Sequence, residues 1–236
     1  MSILYLIRHG QASFGRHDYD RLSDNGRVQS RIVAEHLCRL GTKFDAVYTG
    51  TLNRQRQTYE TMAEVYAQKQ NPLPDAQLIP ELDEYDAVSV WQHLHAEVLA
   101  DHPELADDLD QIFAQPKAFQ RFYGQIVERW VAGNYRRTEL ESWPEFRARV
   151  CAGLQRIMRS EGPGKRVAVF SSAGPVAVAV QLATAMPDAQ CVGISWQVLN
   201  AAITRFLFNA EQFTLASFND VAALELQADP ALLTFR

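Results

Sequence analysis

Cysteine is scarce in this chain, with three residues in 236. Cys38, Cys151 and Cys191 are far apart, odd in number and set among apolar neighbours. That excludes a disulfide framework or a cysteine-rich zinc site and fits reduced thiols in a cytoplasmic protein. Long apolar runs are missing too: none approaches the roughly 20 residues of a membrane span, and no basic stretch leads into an apolar leader core at the N-terminus. Positive charge is not in excess. The formal net charge is -5, so the chain carries no basic footprint for nucleic acid, and a protein of this balance that binds an anion must concentrate positive charge locally. No internal repeat and no low-complexity segment interrupts the pattern. What remains has a 47% hydrophobic and 22% charged composition, ordinary for a globular protein, and a length that suits one large domain or one domain with an insertion.

The most informative stretch is Ile3-Leu4-Tyr5-Leu6-Ile7-Arg8-His9-Gly10-Gln11. Its apolar run predicts a buried strand that delivers polar groups at its carboxyl end, the end at which open α/β sheets bind ligands. Ser23 is placed to cap a helix that closes at Gly41, with Val28, Ile32, Val33, Leu37 and Leu40 on its apolar side. Phe44–Tyr48 reads as a second strand ending in Thr49-Gly50-Thr51, followed by a helix with Leu52, Tyr59, Met62, Ala63 and Tyr66 on its apolar side that Asn71-Pro72-Leu73-Pro74 breaks, and 77–80 as a short edge strand. Residues 85–140 are aromatic, with Phe122, Ile126 and Trp130 at helical spacing, and read as a helical insertion over one end of the sheet. Ser142 and Glu145 form a capping-box pattern. Arg166–Phe170 is another strand, ending in Ser171-Ser172-Ala173-Gly174 before a helix that starts at Pro175. Two strands, 202–208 and 213–218, close the pattern, and the tail is weakly patterned. Alternating strands and helices predict a three-layer α/β/α sandwich on a mostly parallel sheet of about six strands.

Three strand ends therefore carry chemistry: Arg8-His9-Gly10, Thr49 with Arg54 one turn into the next helix, and Ser171-Ser172 before a helix N-terminus. On neighbouring strands they gather two guanidiniums, an imidazole, hydroxyls and helix-terminal N–H groups. That set suits a phosphoryl dianion and the charge of its transfer. Among the carboxylates of 81–86, Glu84 is preferred over Glu81, Asp83 and Asp86 by its spacing after Leu82. His93 and His95 invite a metal, but residues two apart point to different helix faces, so an exposed polar face is the reading here and no metal site is assigned.

The ordered set of motifs resembles the histidine phosphatase superfamily, the phosphoglycerate mutase-like fold. It comprises Arg8-His9-Gly10-Gln11 after a strand, Leu22-Ser23 with Gly26 and Gln29, Thr49-x-Thr51-Leu52-x-Arg54 with Gln57-Thr58, Leu82-x-Glu84, Glu141-Ser142 with Arg149-Val150, and Asn200–Thr204. The resemblance spans most of the chain and implies one domain over 1–236, with 85–140 as a lid. It implies His9 as the nucleophile that becomes a phosphohistidine. Arg8 and Arg54 are implied to clamp the phosphoryl oxygens, with Gln11 and Ser172 also beside phosphate, and Glu84 to act as acid and then base. No metal or other cofactor is needed in that scheme, because the arginines neutralise the charge. One departure stands out. The family carries a second histidine in a strand-Ser-His-Gly-Gly context, and alignment puts Ser172 in its place, a hydroxyl that donates one hydrogen bond and no charge. The resemblance also covers mutases, which follow Leu-x-Glu with Arg-His-Tyr-Gly. Here Tyr85-Asp86-Ala87-Val88 follows Glu84, which favours a phosphatase for an uncharged or bulky leaving group. Arg121, Arg129, Arg136 and Arg137 remain available for an anionic substrate. A phosphoglycerate mutase and a weakly active or inactive phosphate-binding homologue stay open as alternatives. The expected partner is a small phosphorylated substrate, with no nucleic acid or membrane, and a homodimer is compatible with the sheet edge.

Overall fold

The computed structural model describes residues 1–13, 20–112, 115–136 and 139–235. Arg137, named above, lies outside the described residues, as do Gly15, His17, Asp18 and Phe113. In chain order the elements are β1 (Ser2–Arg8), α1 (Asp24–Arg39), β2 (Ala46–Thr49), α2 (Asn53–Gln68), β3 (Ala76–Leu78), α3 (Ala87–Asp101), α4 (Ala106–Gln111) and α5 (Pro116–Ala132). Then follow α6 (Trp143–Ser160), β4 (Arg166–Ser171), α7 (Ala173–Thr184), α8 (Asp188–Gln197), β5 (Ile203–Phe208), β6 (Phe213–Asp220) and α9 (Ala222–Glu225).

The six strands form one sheet in the order β3-β2-β4-β1-β5-β6. The first four run parallel, and β5 and β6 are antiparallel. β1 lies near the centre, between β4 and β5, which is why its sequence is apolar on both faces. The period-two alternation of strand side chains divides the core. Tyr5, Ile7, Val47, Ala168 and Phe170 face α1, α2 and α9. Leu4, Leu6, Tyr48, Val167 and Val169 face α6, α7 and the helices of the aromatic segment, whose Phe122, Ile126 and Trp130 are fully buried. Three layers result, as the alternation of strands and helices predicts.

Some local expectations shift. α7 begins at Ala173, two residues before Pro175. Proline is tolerated there because a first-turn N–H has no helical partner to lose. Val28 and Leu40 are exposed. α1 instead buries Gln29 and Ser30 with Val33, Ala34 and Leu37, because its first turns lie against the end of β1: a Cβ on Gly10 would sit 2.3 Å from the Gly26 carbonyl oxygen. α8 has no expected counterpart in the sequence pattern; it buries Cys191 and Val192 over ten residues without a regular apolar stripe. The tail is ordered by polar contacts. Gln29 Nε2 donates to the Leu232 carbonyl and to Thr234 Oγ1, and the Asn200 N–H donates to the Thr234 carbonyl. Hydropathy patterning does not reveal such a strap.

The capping box at α6 is complete, with Ser142 Oγ accepting from the Glu145 N–H and Glu145 accepting from the Ser142 N–H. α6 carries Phe146, Val150, Leu154 and Ile157 into the core. Ser142→Ala is expected to cost about 1 kcal/mol, read as a lowered denaturant midpoint with an unchanged slope.

Candidate active site

The parallel strands end on one edge, and the three predicted strand ends meet there. His9 follows β1 directly and is 5% exposed. Its backbone is fully engaged: the N–H donates to the Ser171 carbonyl at 2.9 Å, and its carbonyl accepts from the Ala201 N–H and Asn200 Nδ2 at 3.2 Å. The ring is held as firmly. Nδ1 lies 2.7 Å from the Gly10 carbonyl, and Nε2 accepts from Arg54 Nε at 3.2 Å. A carbonyl accepts and a guanidinium only donates, so the proton is on Nδ1 and the lone pair on Nε2. Burial, reinforced by the Arg54 and Arg8 guanidiniums, pushes the His9 pKa well below the usual imidazole value, which keeps the ring neutral.

Arg54 is the second residue of α2. Its Nη1 donates to Asp20 at 2.8 Å, and the other Asp20 oxygen accepts from the Asn53 N–H at 2.8 Å. Asp20 thus caps a helix whose own N-cap residue, Leu52, offers no side-chain acceptor, and at the same time orients Arg54. No sequence motif singles out Asp20; its partners are 33 and 34 residues away, which no local pattern reveals. Arg8 donates to the Val198 carbonyl and, at 2.7 Å, to the Phe235 carbonyl. Gln11 is tied to the start of α1, with its side-chain oxygen accepting from Ser23 Oγ at 2.9 Å. Thr49 Oγ1 donates back to the Gly50 carbonyl.

Glu84 enters from the loop after β3. One carboxylate oxygen accepts from the Gly174 N–H at the start of α7 at 3.0 Å, the other from the Tyr85 N–H at 3.3 Å. Burial raises its pKa, against the opposing pull of those N–H groups and of Arg54 and Arg8. Its rivals are occupied elsewhere. Glu81 pairs with Arg156, Asp83 accepts from Thr51, and Asp86 caps α3. Arg149 of α6 holds the loop in place. It donates to the carbonyls of Pro80, Glu81 and Asp83 and forms a two-pronged pair with Glu141 at 2.8 and 3.0 Å.

A Cβ on Gly174 would lie 2.1 Å from Glu84 Oε1, so only glycine admits the carboxylate to the N-terminus of α7. Gly174→Ala is expected to displace Glu84 and lower turnover about tenfold or more, with a thermal midpoint close to that of the parent; steady-state kinetics and calorimetry on the same sample check it.

Of the four lid arginines, Arg121 pairs with Asp108, and Arg129 with Glu97 and Asp101. These two brace the insertion and are already neutralised. His93 and His95 each bond the carbonyl four residues earlier, and His95 stacks on Trp91 at 5.8 Å. Among the described residues, no three His, Cys, Asp or Glu side chains gather to hold a metal. Nor is any helix among them long and apolar enough to cross a membrane.

A family model described as the histidine phosphatase superfamily (branch 1) matches residues 4–221. A 2,3-bisphosphoglycerate-dependent phosphoglycerate mutase from Bartonella bacilliformis is 36% identical over 83 residues, covering 32% of this chain and 37% of that enzyme. The aligned stretch is thus well under half the length of the mutase. Three solved structures share the fold at low identity. Phosphoglycerate mutase from Bacillus anthracis gives a TM-score of 0.66 at 16% identity over 97% of both chains. Phosphoserine phosphatase from Entamoeba histolytica, in complex with 3-phosphoglyceric acid, gives 0.64 at 20% over 95% of this chain and 100% of that one. Mycobacterial glucosyl-3-phosphoglycerate phosphatase gives 0.62 at 21% over 92% and 98%.

Proposed function

The chain belongs to the histidine phosphatase superfamily, and from that membership we propose that it hydrolyses a small phosphomonoester through a phosphohistidine at Nε2 of His9. The observation that carries this reading is the pairing of a neutral His9, its Nε2 lone pair held at the Arg54 Nε–H, with Glu84 kept towards its acid form by burial. In the first step Nε2 attacks phosphorus and the bond to the leaving oxygen breaks. Glu84 gives its proton to that oxygen as the alcohol departs. In the second step the Glu84 carboxylate takes a proton from water, the water oxygen bonds phosphorus, and the phosphorus–nitrogen bond breaks to return the lone pair to Nε2. As Nε2 attacks, Arg54 Nε gives up that lone pair and Arg54 stabilises the phosphoryl oxygens. Arg8 joins it by exchanging the Val198 and Phe235 carbonyls for phosphoryl oxygens, with Ser172 and Gln11 at the margin of the same site. The insertion serves as the lid, and two of its arginines, Arg121 and Arg129, are paired with Asp108, Glu97 and Asp101. Reduced thiols fit a cytoplasmic location. Release of orthophosphate from a panel of phosphomonoesters tests the proposal; the absence of turnover on all of them counts against it.

The local 36% match to a phosphoglycerate mutase favours a second reading, isomerisation by returning the phosphoryl group to the substrate. Conversion of 3-phosphoglycerate to 2-phosphoglycerate at a rate above hydrolysis would select it.

A further inference from the structure

Ser172 stands beside His9 where the parallel strands end. The β1–β4 register pairs Arg8 with Ser171, and the ladder runs on through the His9 N–H to the Ser171 carbonyl. Ser172 therefore lies about one strand spacing, ~4.8 Å, from His9 along the edge. Two consecutive residues of α2 reach these two neighbours: Arg54 donates to His9, and Gln55 Nε2 donates to Ser172 Oγ at 2.9 Å. The direction of the second bond is fixed independently, because the same Gln55 nitrogen lies 3.4 Å from the Leu82 carbonyl. A carbonyl accepts an N–H and repels an amide oxygen, so the amide cannot be turned over.

Ser172 is the N-cap residue of α7, yet its side chain takes no cap hydrogen bond. One of its two lone pairs accepts from Gln55 instead. The hydroxyl keeps one proton, and among the described residues no acceptor is in hydrogen-bond range of it. Both side chains are fully buried, and among the described residues Gln55 Oε1 has no hydrogen-bond partner. A buried amide with one end unsatisfied is costly, so this arrangement is not explained by packing.

The geometry points to Gln55 as a positioning residue that occupies one lone pair of Ser172, which keeps the hydroxyl proton off the α2 side and leaves it to be donated to a phosphoryl oxygen held at His9. The inference rests on the proposed phosphoryl chemistry of His9. It assigns a neutral two-residue donor to the place where the resemblance puts a second imidazole. No proton is transferred; the pair donates one fixed hydrogen bond that strengthens as charge grows on the phosphoryl oxygens. Gln55 acts only through Ser172, so removing both should cost no more than removing Ser172.

The test is a cycle of Ser172→Ala, Gln55→Leu and the double variant, with orthovanadate affinity measured by calorimetry beside kcat and KM. Ser172→Ala is expected to weaken vanadate binding and lower kcat by about 10²-fold, the size of one lost oxyanion donor. Gln55→Leu should give about a tenfold loss in kcat with little change in KM. The double variant should match Ser172→Ala. It also serves if Ser172→Ala folds poorly, since removing both polar partners together leaves no orphaned amide. Unchanged vanadate affinity in Ser172→Ala, or losses that multiply in the double variant, would overturn the inference. Normal His9-dependent turnover in all three variants would overturn it while leaving the hydrolase reading intact. If the parent protein turns over no phosphomonoester, that reading fails by itself and the vanadate affinities still decide the role of Gln55.

Discussion

Replacing His9 with alanine is expected to abolish turnover, by about 10⁴-fold or more, the scale of losing a nucleophile. The size follows from what the residue supplies and from what cannot replace it. Nε2 is a lone pair in a buried, neutral ring with its other nitrogen bonded to the Gly10 carbonyl. Tautomer and aim are both set before substrate arrives. The three cysteines offer no substitute, because burial raises all three thiol pKa values and disfavours thiolate. Neither does Ser172, whose neighbour Gln55 is a donor and not a base. The loss should be catalytic and not structural. Strand β1 is anchored through the His9 backbone, which alanine keeps, and through the β4 and β5 ladders. A thermal midpoint near that of the parent, with orthophosphate release at background, is the expected pair of measurements.

Glu84→Gln should lower kcat by about 10²–10⁴-fold for esters with poorly acidic alcohols and far less for p-nitrophenyl phosphate, whose phenolate leaves without a proton. The pH profile carries the sign. Burial penalises charge, so it acts oppositely on the two groups. The His9 pKa is lowered, so the nucleophile stays unprotonated into mildly acidic solution, and the rate falls as pH drops through that lowered value. The Glu84 pKa is raised, so the acid stays protonated above the usual carboxylate range, and the rate falls as pH rises through that raised value. Activity on alkyl phosphates should therefore be bell-shaped, with the acid limb belonging to His9 and the basic limb to Glu84. Glu84→Gln should remove the basic limb and leave the acid limb. Retention of both limbs would assign the basic limb to another group and remove Glu84 from the mechanism.

Much of the fold is written in local pattern. The apolar run before Arg8, the Ser23 and Ser142 caps and the spacing of Phe122, Ile126 and Trp130 each follow from short-range rules, and each falls where those rules place it. The failures share a cause. Val28 and Leu40 have the spacing of a core face but point to solvent, because the close approach of Gly10 and Gly26 turns α1 so that Gln29 and Ser30 are inward. Here a backbone contact overrides side-chain hydropathy. The candidate site was legible at its strand ends, where Arg8, His9 and the segment leading to Ser172 stand as polar groups after apolar runs and meet on one edge of the sheet. Its supporting residues were not. Asp20 on Arg54, Gln55 on Ser172 and Arg149 on the loop before Glu84 act across separations of 34, 117 and about 70 residues, and a polar residue in a helix or loop carries no local sign of a distant partner.

The central claim is that phosphoryl transfer passes through Nε2 of His9. Its most direct test is rapid quenching of the protein with a radioactive phosphomonoester, followed by peptide mapping of the label. The account predicts label on the peptide that holds His9, stable in alkali and lost in acid as a phosphohistidine is, and none on His9→Ala. Turnover at full rate with no trapped label, or label that persists on another residue in His9→Ala, would contradict it.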